Sequence, residues 1–212
     1  MKVVLGMTRA LQYAAVLLAI GFCQGSIADE PWALAKDAEG IKVYTRSVAN
    51  SHLREFKAEI EIPANTDRVI EVLKDANSFR RWMPDVVRSD LLFSSEKEQY
   101  HYVENAAPWP VSNRDGVYHY TFARAEDADA AVTIVRVEAA PDYSPRRDGK
   151  VRIPKCDGYW KIVPKGSAVE VIYQIHADPG GSIPSWLANG TVVDTPFKTL
   201  KNLRGYIQSL TP

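Results

Sequence analysis

The chain has 212 residues, 46% hydrophobic and 25% charged, the make-up of a globular domain large enough to fold without disulfides. Lys+Arg and Asp+Glu number 26 each, so the formal charge is zero. That excludes the basic field a nucleic-acid-binding surface needs to neutralise phosphates.

In chain order, Lys2 and Arg9 precede an uncharged, nearly all-apolar run at residues 10–22. Ser26-Ile27-Ala28 then puts small residues at the two recognition positions of a cleavage site before Asp29. This is the pattern of a secretory signal peptide, residues 1–28, cut after Ala28. The apolar run is shorter than the ~20 residues of a membrane span, and Phe22 before Cys23 is too bulky for a lipoprotein cleavage box. The expected location is the periplasm or the secreted fraction. Without the leader Cys156 is the one remaining cysteine, which rules out an intrachain disulfide and suits a small strand residue.

Residues 29–212 contain no repeat, charge block or low-complexity linker, and read as one domain. Residues 31–38 predict a short helix leading into the fold. Ile41-Lys42-Val43-Tyr44 and residues 55–62 alternate with a period of two and predict strands, the second stopped by Pro63. Asn65 or Thr66 caps a helix to about Asp75, with Val69, Ile70, Val72 and Leu73 as its apolar stripe. Phe79 and Trp82 fall in a connector. Residues 91–93, 100–104, 116–124, 132–137, 160–163 and 169–177 predict further strands, separated by turn residues, hence an antiparallel sheet. A long helix from about 183 to 210 closes the chain, with Trp186, Val193, Phe197, Leu200 and Ile207 on one side and Pro196 expected to kink its middle. The fold class is α+β, a curved antiparallel sheet wrapped around a long C-terminal helix.

Two stretches carry more than the periodicity does. Pro108-Trp109-Pro110-Val111-Ser112-Asn113-Arg114-Asp115 and Asp178-Pro179-Gly180-Gly181-Ser182-Ile183-Pro184-Ser185-Trp186-Leu187-Ala188-Asn189 both resemble segments of the START family of StAR-related lipid-transfer domains. Gly40-Ile41-Lys42-Val43-Tyr44, Arg80-Arg81-Trp82 and Gly158-Tyr159-Trp160 fall in the expected order around them, so the resemblance covers nearly all of residues 31–210. It implies a helix-grip fold enclosing a tunnel for one sterol, phospholipid or similar molecule, with the helix near Ile183 as part of a lid. Read from the residues alone, Arg114 and Asp115 point to opposite faces of one strand and take different partners. Gly180-Gly181 permits positive φ at a sharp turn, Ser182 can cap the following helix, and Pro184 suits its first turn.

Period two from Arg114 carries Tyr118 and Tyr120 onto one inward face, and His101 and Val103 share a face on the preceding strand. Some START members hold a buried ion pair on these two strands; the matching positions here are His101 and Tyr120, so that pair is expected to be absent. Trp160, Val171 and Tyr173 are expected to line the same interior, and Trp186, Leu187, Val193 and Phe197 to close it. His52, His101, His119 and His176 show no metal-ligand spacing, and no G-x-S-x-G elbow or phosphate loop occurs, so neither metal nor cofactor is expected. Three functions follow. The leading one is an exported monomeric carrier for a lipid or other apolar small molecule, with transient membrane contact. The second is a helix-grip enzyme of the aromatase/cyclase type using His101, Tyr118 or Tyr120 and Arg114 for acid–base work. The third is an interaction module with a filled interior.

Overall fold

The computed structural model describes residues 30–124 and 132–210; the expected signal peptide, residues 1–28, lies outside the described residues. Ten strands form one sheet: β1 (Ala33–Ala38), β2 (Ile41–Ser47), β3 (Arg54–Ile62), β4 (Val86–Ser94), β5 (Glu98–Asn105), β6 (Arg114–Arg124), β7 (Thr133–Ala139), β8 (Val151–Arg152), β9 (Lys155–Lys165) and β10 (Ala168–Asp178). The order is β1-β2-β3-β10-β9-β7-β6-β5-β4, all antiparallel, with the two-residue β8 pairing parallel to the start of β6. The last strand therefore bridges the first three to the rest, and the sheet curves round helix α4 (Asp194–Ser209). α4 packs on β2, β3, α1 (Thr66–Lys74) and the one-turn α2 (Phe79–Trp82), as the helix-grip arrangement requires.

The core follows from the alternation. Ile41, Val43, Ala58, Ile60 and Ile62 turn inward from β2 and β3 to meet Leu200, Leu203 and Ile207 of α4, all buried. Asn65 caps α1 as expected, its Oδ1 accepting from the Arg68 amide at 2.8 Å. Phe79 and Trp82 are fully buried: the connector is a 3-10 turn at Ala76–Ser78 followed by α2, and it plugs one end of the core.

Three local expectations are corrected. Residues 33–38 form an edge strand rather than a helix. Glu39 and Gly40 take φ of 55° and 73°, the two positive values of a tight hairpin turn, and the paired backbone of β2 overrides the helical preference of Ala-Leu-Ala-Lys. The C-terminal helix is broken at Val192–Val193, between α3 (Ser185–Thr191) and α4, not at Pro196. Pro196 is buried in the first turn of α4, where its missing N–H would have had no helical partner. Ser182 makes no cap; α3 starts at Ser185 with Pro184 at the capping position.

Candidate functional site

Between the sheet and the α3–α4 corner lies a cavity of about 720 Å³. Its wall is mostly apolar. Phe56, Val103, Val137, Ile153, Ile175 and Leu187 contribute to it from six separate elements or loops. Strand alternation delivers them: Val103 turns inward from β5, and Arg114, Tyr118 and Tyr120 do so from β6 at the predicted period of two. Gly116 sits between Arg114 and Tyr118 on that face. A Cβ there would fall 2.5 Å from Cζ and Oη of Tyr118, so the missing side chain is what lets the Tyr118 ring lie back along the strand.

Of the twelve residues singled out in the sequence, six line this cavity: Val103, Arg114, Tyr118, Tyr120, Tyr173 and Leu187. Trp160 and Val171 are fully buried and stand outside the wall. Trp160 stacks on Tyr173 with centroids 3.7 Å apart, so it backs a residue that the cavity does reach. His101 is placed likewise: fully buried, stacked on Tyr120 at 4.2 Å and edge-on to Phe79 at 5.3 Å. Phe197 is core, with the Lys36 ammonium 4.1 Å from its ring centroid, and Val193 packs against that core beside the α3–α4 break. Trp186 points away and is 74% exposed.

Among the wall residues the sequence did not single out, Cys156 alternates with Gly158 and Trp160 on β9, a signal that period two could have supplied. The loop residues Ala106 and Pro108 and the helix residues Thr195 and Thr199 offered no such signal.

Burial sets the chemistry of these groups. It raises the hydroxyl pKa of Tyr118, Tyr120 and Tyr173 well above the ordinary value, so all three are neutral donors. Burial also pushes the Cys156 thiol up to about 12, with Asp157 adding to the shift, and pulls His101 down to about 3. Neutral His101 shares a hydrogen bond of 2.9 Å between Nε2 and Gln99 Oε1. Arg114, Tyr118 and Tyr120 thus come together at the cavity, while His101 lies behind Tyr120. Among the described residues no group of His, Cys, Asp and Glu is arranged to hold a metal ion.

Arg114 and Asp115 diverge as alternation requires. Asp115 turns outward to a buried ion pair, its Oδ1 and Oδ2 accepting from Nε and Nη2 of Arg152 at 3.1 and 3.0 Å. Arg114 turns inward, beneath Gly180 and Gly181, whose φ values of 66° and 67° make the expected turn from β10 toward α3.

A sheet that grips a C-terminal helix and leaves an apolar cavity under the helix corner defines a helix-grip domain. Comparison with known proteins agrees. The START domain profile matches residues 23–212, and the chain belongs to the START domain family. An uncharacterized protein of Pseudomonas aeruginosa is 38% identical over 201 residues, covering 94% of this chain and 96% of that protein. The mouse phosphatidylcholine transfer protein is 29% identical over 164 residues, covering 74% of this chain and 75% of its own. Among solved structures, a STAR-related lipid transfer protein fragment from Xanthomonas axonopodis is 60% identical with a TM-score of 0.80, over 84% of this chain and 99% of the fragment.

Proposed function

We propose that this protein is an exported, monomeric lipid carrier that holds one apolar molecule in the cavity and exchanges it at a membrane surface. The observation that carries the reading is the apolar cavity of about 720 Å³ in a START chain, a size within the range of small-molecule sites. Val103, Tyr118, Tyr120, Tyr173 and Leu187 contact the ligand, and His101, Trp160 and Val171 hold that wall from behind. α3 is the closing element: none of its residues is buried, and it joins the body through the Gly180–Gly181 turn and the break before α4. Export is assigned to residues 1–28.

Two exposed tryptophans support membrane contact. Trp109 is 93% and Trp186 74% exposed, and their neighbours Pro108 and Leu187 both line the cavity. Tryptophan is favoured at a bilayer's polar–apolar boundary, so the pair suits docking with the opening toward lipid. The test is transfer of a fluorescent lipid between donor and acceptor vesicles. The purified protein should accelerate transfer, and Trp109→Ala with Trp186→Ala should slow it at least fivefold while leaving binding in solution intact. No acceleration by the wild-type protein across sterol, fatty-acid and phospholipid probes would refute the carrier reading.

A further inference from the structure

We propose that the ligand of this cavity ends in an anionic group, a carboxylate or a phosphate, and that Arg114 pairs with it. The inference rests on the carrier reading and adds the ligand's chemical class. Arg114 is 7% exposed and forms part of the cavity wall. Its guanidinium has only neutral partners: Nη1 donates to the Ser112 carbonyl and Nη2 to the Gly180 carbonyl at 3.4 Å, while Nε is buried with no partner. Among the described residues no carboxylate lies within ion-pair distance of it.

The next residue along the strand supplies the contrast. Arg152, also buried, is neutralised by both oxygens of Asp115 and donates to the carbonyls of Pro141, Ser144 and Pro145. The fold therefore neutralises one buried arginine on the outer face and leaves the other uncompensated on the cavity face. A buried charge without a counter-ion is strongly unfavourable, and an anionic ligand removes the penalty. Burial draws the Arg114 pKa downward, yet arginine stays charged at neutral pH. The other charged wall residues, Arg54 and Asp85, are exposed at the rim.

The position of Arg114 further ties the head to closure. A Cβ on Gly181 would lie 3.5 Å from Nη2, so the guanidinium sits directly under the turn that leads to α3. An arriving anion competes with the Gly180 carbonyl for that nitrogen.

The test is calorimetric titration of the purified protein with three single-chain probes: oleate, 1-oleoyl-lysophosphatidate and oleyl alcohol. At least one anionic probe should bind tenfold or more tightly than the alcohol, and the tighter of the two identifies carboxylate or phosphate. Arg114→Gln should abolish the preference, and Arg114→Lys should restore part of it. Equal binding of all three probes, or a preference that survives in Arg114→Gln, would overturn the proposal. Should Arg114→Gln not fold, oleate carrying carbon-13 at its carboxyl reads the same contact in the wild type. Its bound pKa should fall below that in an equivalent apolar site lacking the cation, Arg114→Lys giving an intermediate value; a bound pKa raised as burial alone demands would overturn the pairing. If none of the three probes binds while the protein accelerates sterol or phospholipid transfer between vesicles, this inference falls and the carrier reading stands.

Discussion

The buried pair Asp115–Arg152 offers a quantitative test of how the fold positions the cavity. Both side chains are only 1% exposed, and they tie β6 to the short β8. β8 in turn abuts the Gly180–Gly181 turn: a Cβ on Gly180 would lie 3.2 Å from the Arg152 carbonyl, and one on Gly181 would lie 3.4 Å from Cγ1 of Val151. Asp115→Leu strands the guanidinium beside an apolar group. Breaking one half of such a pair costs about 3–5 kcal/mol, a large part of the ~5–15 kcal/mol that holds a domain folded. Adding Arg152→Met removes the stranded charge. What remains is the loss of a donor for the carbonyls of Pro141, Ser144 and Pro145, part of which water recovers, and the double variant should lie about 1–3 kcal/mol below wild type. Urea unfolding at neutral pH gives each value through the midpoint at constant slope. The single variant should also lose roughly 6–20 °C in Tm, at about 2–4 °C per kcal/mol for a domain of this size. A cost below ~1 kcal/mol for Asp115→Leu, or a double variant less stable than the single, would refute the reasoning.

Further outcomes follow from other parts of the site. Gly116→Ala places a methyl where the Tyr118 ring lies; the ring can swing, so stability should fall by only about 1–2 kcal/mol while ligand affinity drops several-fold, measured by calorimetry beside urea unfolding. His101 is held neutral, with its pKa lowered to about 3 by burial. The unfolded chain therefore binds a proton that the native chain refuses between pH 6.5 and 3. Stability from this group is complete above the unfolded pKa and is lost as pH falls through that window, with a slope of up to about 1.4 kcal/mol per pH unit. His101→Phe, which keeps a planar ring against Tyr120, should flatten the stability–pH curve between pH 6 and 4, and an unchanged slope would show that native His101 takes up its proton as readily as the unfolded chain does. Burial raises the Cys156 pKa to about 12, so its thiolate is scarce at pH 8. Iodoacetamide at pH 8 should modify it slowly in the native protein and rapidly in urea; rapid native labelling would contradict the raised pKa.

How much of this was legible in the sequence depends on which property is asked for. Period two in residues 169–177 placed Val171, Tyr173 and Ile175 on the inner face of β10, and Gly180-Gly181 marked the turn before α3. Alternation gives a side, however, and not a depth. His101 and Val103 share a face of β5 two residues apart, yet Val103 reaches the cavity and His101 lies under Tyr120. The same limit separates Trp160 from Tyr173, which stack with one on the wall and one behind it. Sheet curvature and the course of α4 decide such depths, and both arise from contacts distant in sequence. The errors in secondary structure have local causes. β1 is a bulged edge strand of helix-favouring residues, registered only by its hairpin partner. The helix break at Val192–Val193 falls just after Gly190, a residue that weakens a helix, whereas Pro196, the obvious candidate, is harmless in a first turn. The pair Asp115–Arg152 joins positions 37 apart through a strand two residues long, too short for any pattern to register.

Native mass spectrometry of the protein purified from the compartment where its host places it asks whether the cavity holds a lipid. One bound molecule per chain is expected, in the mass range of a lipid, lost on denaturation and displaced by an excess of competing lipid. A ligand-free mass that persists after incubation with a total lipid extract would contradict it.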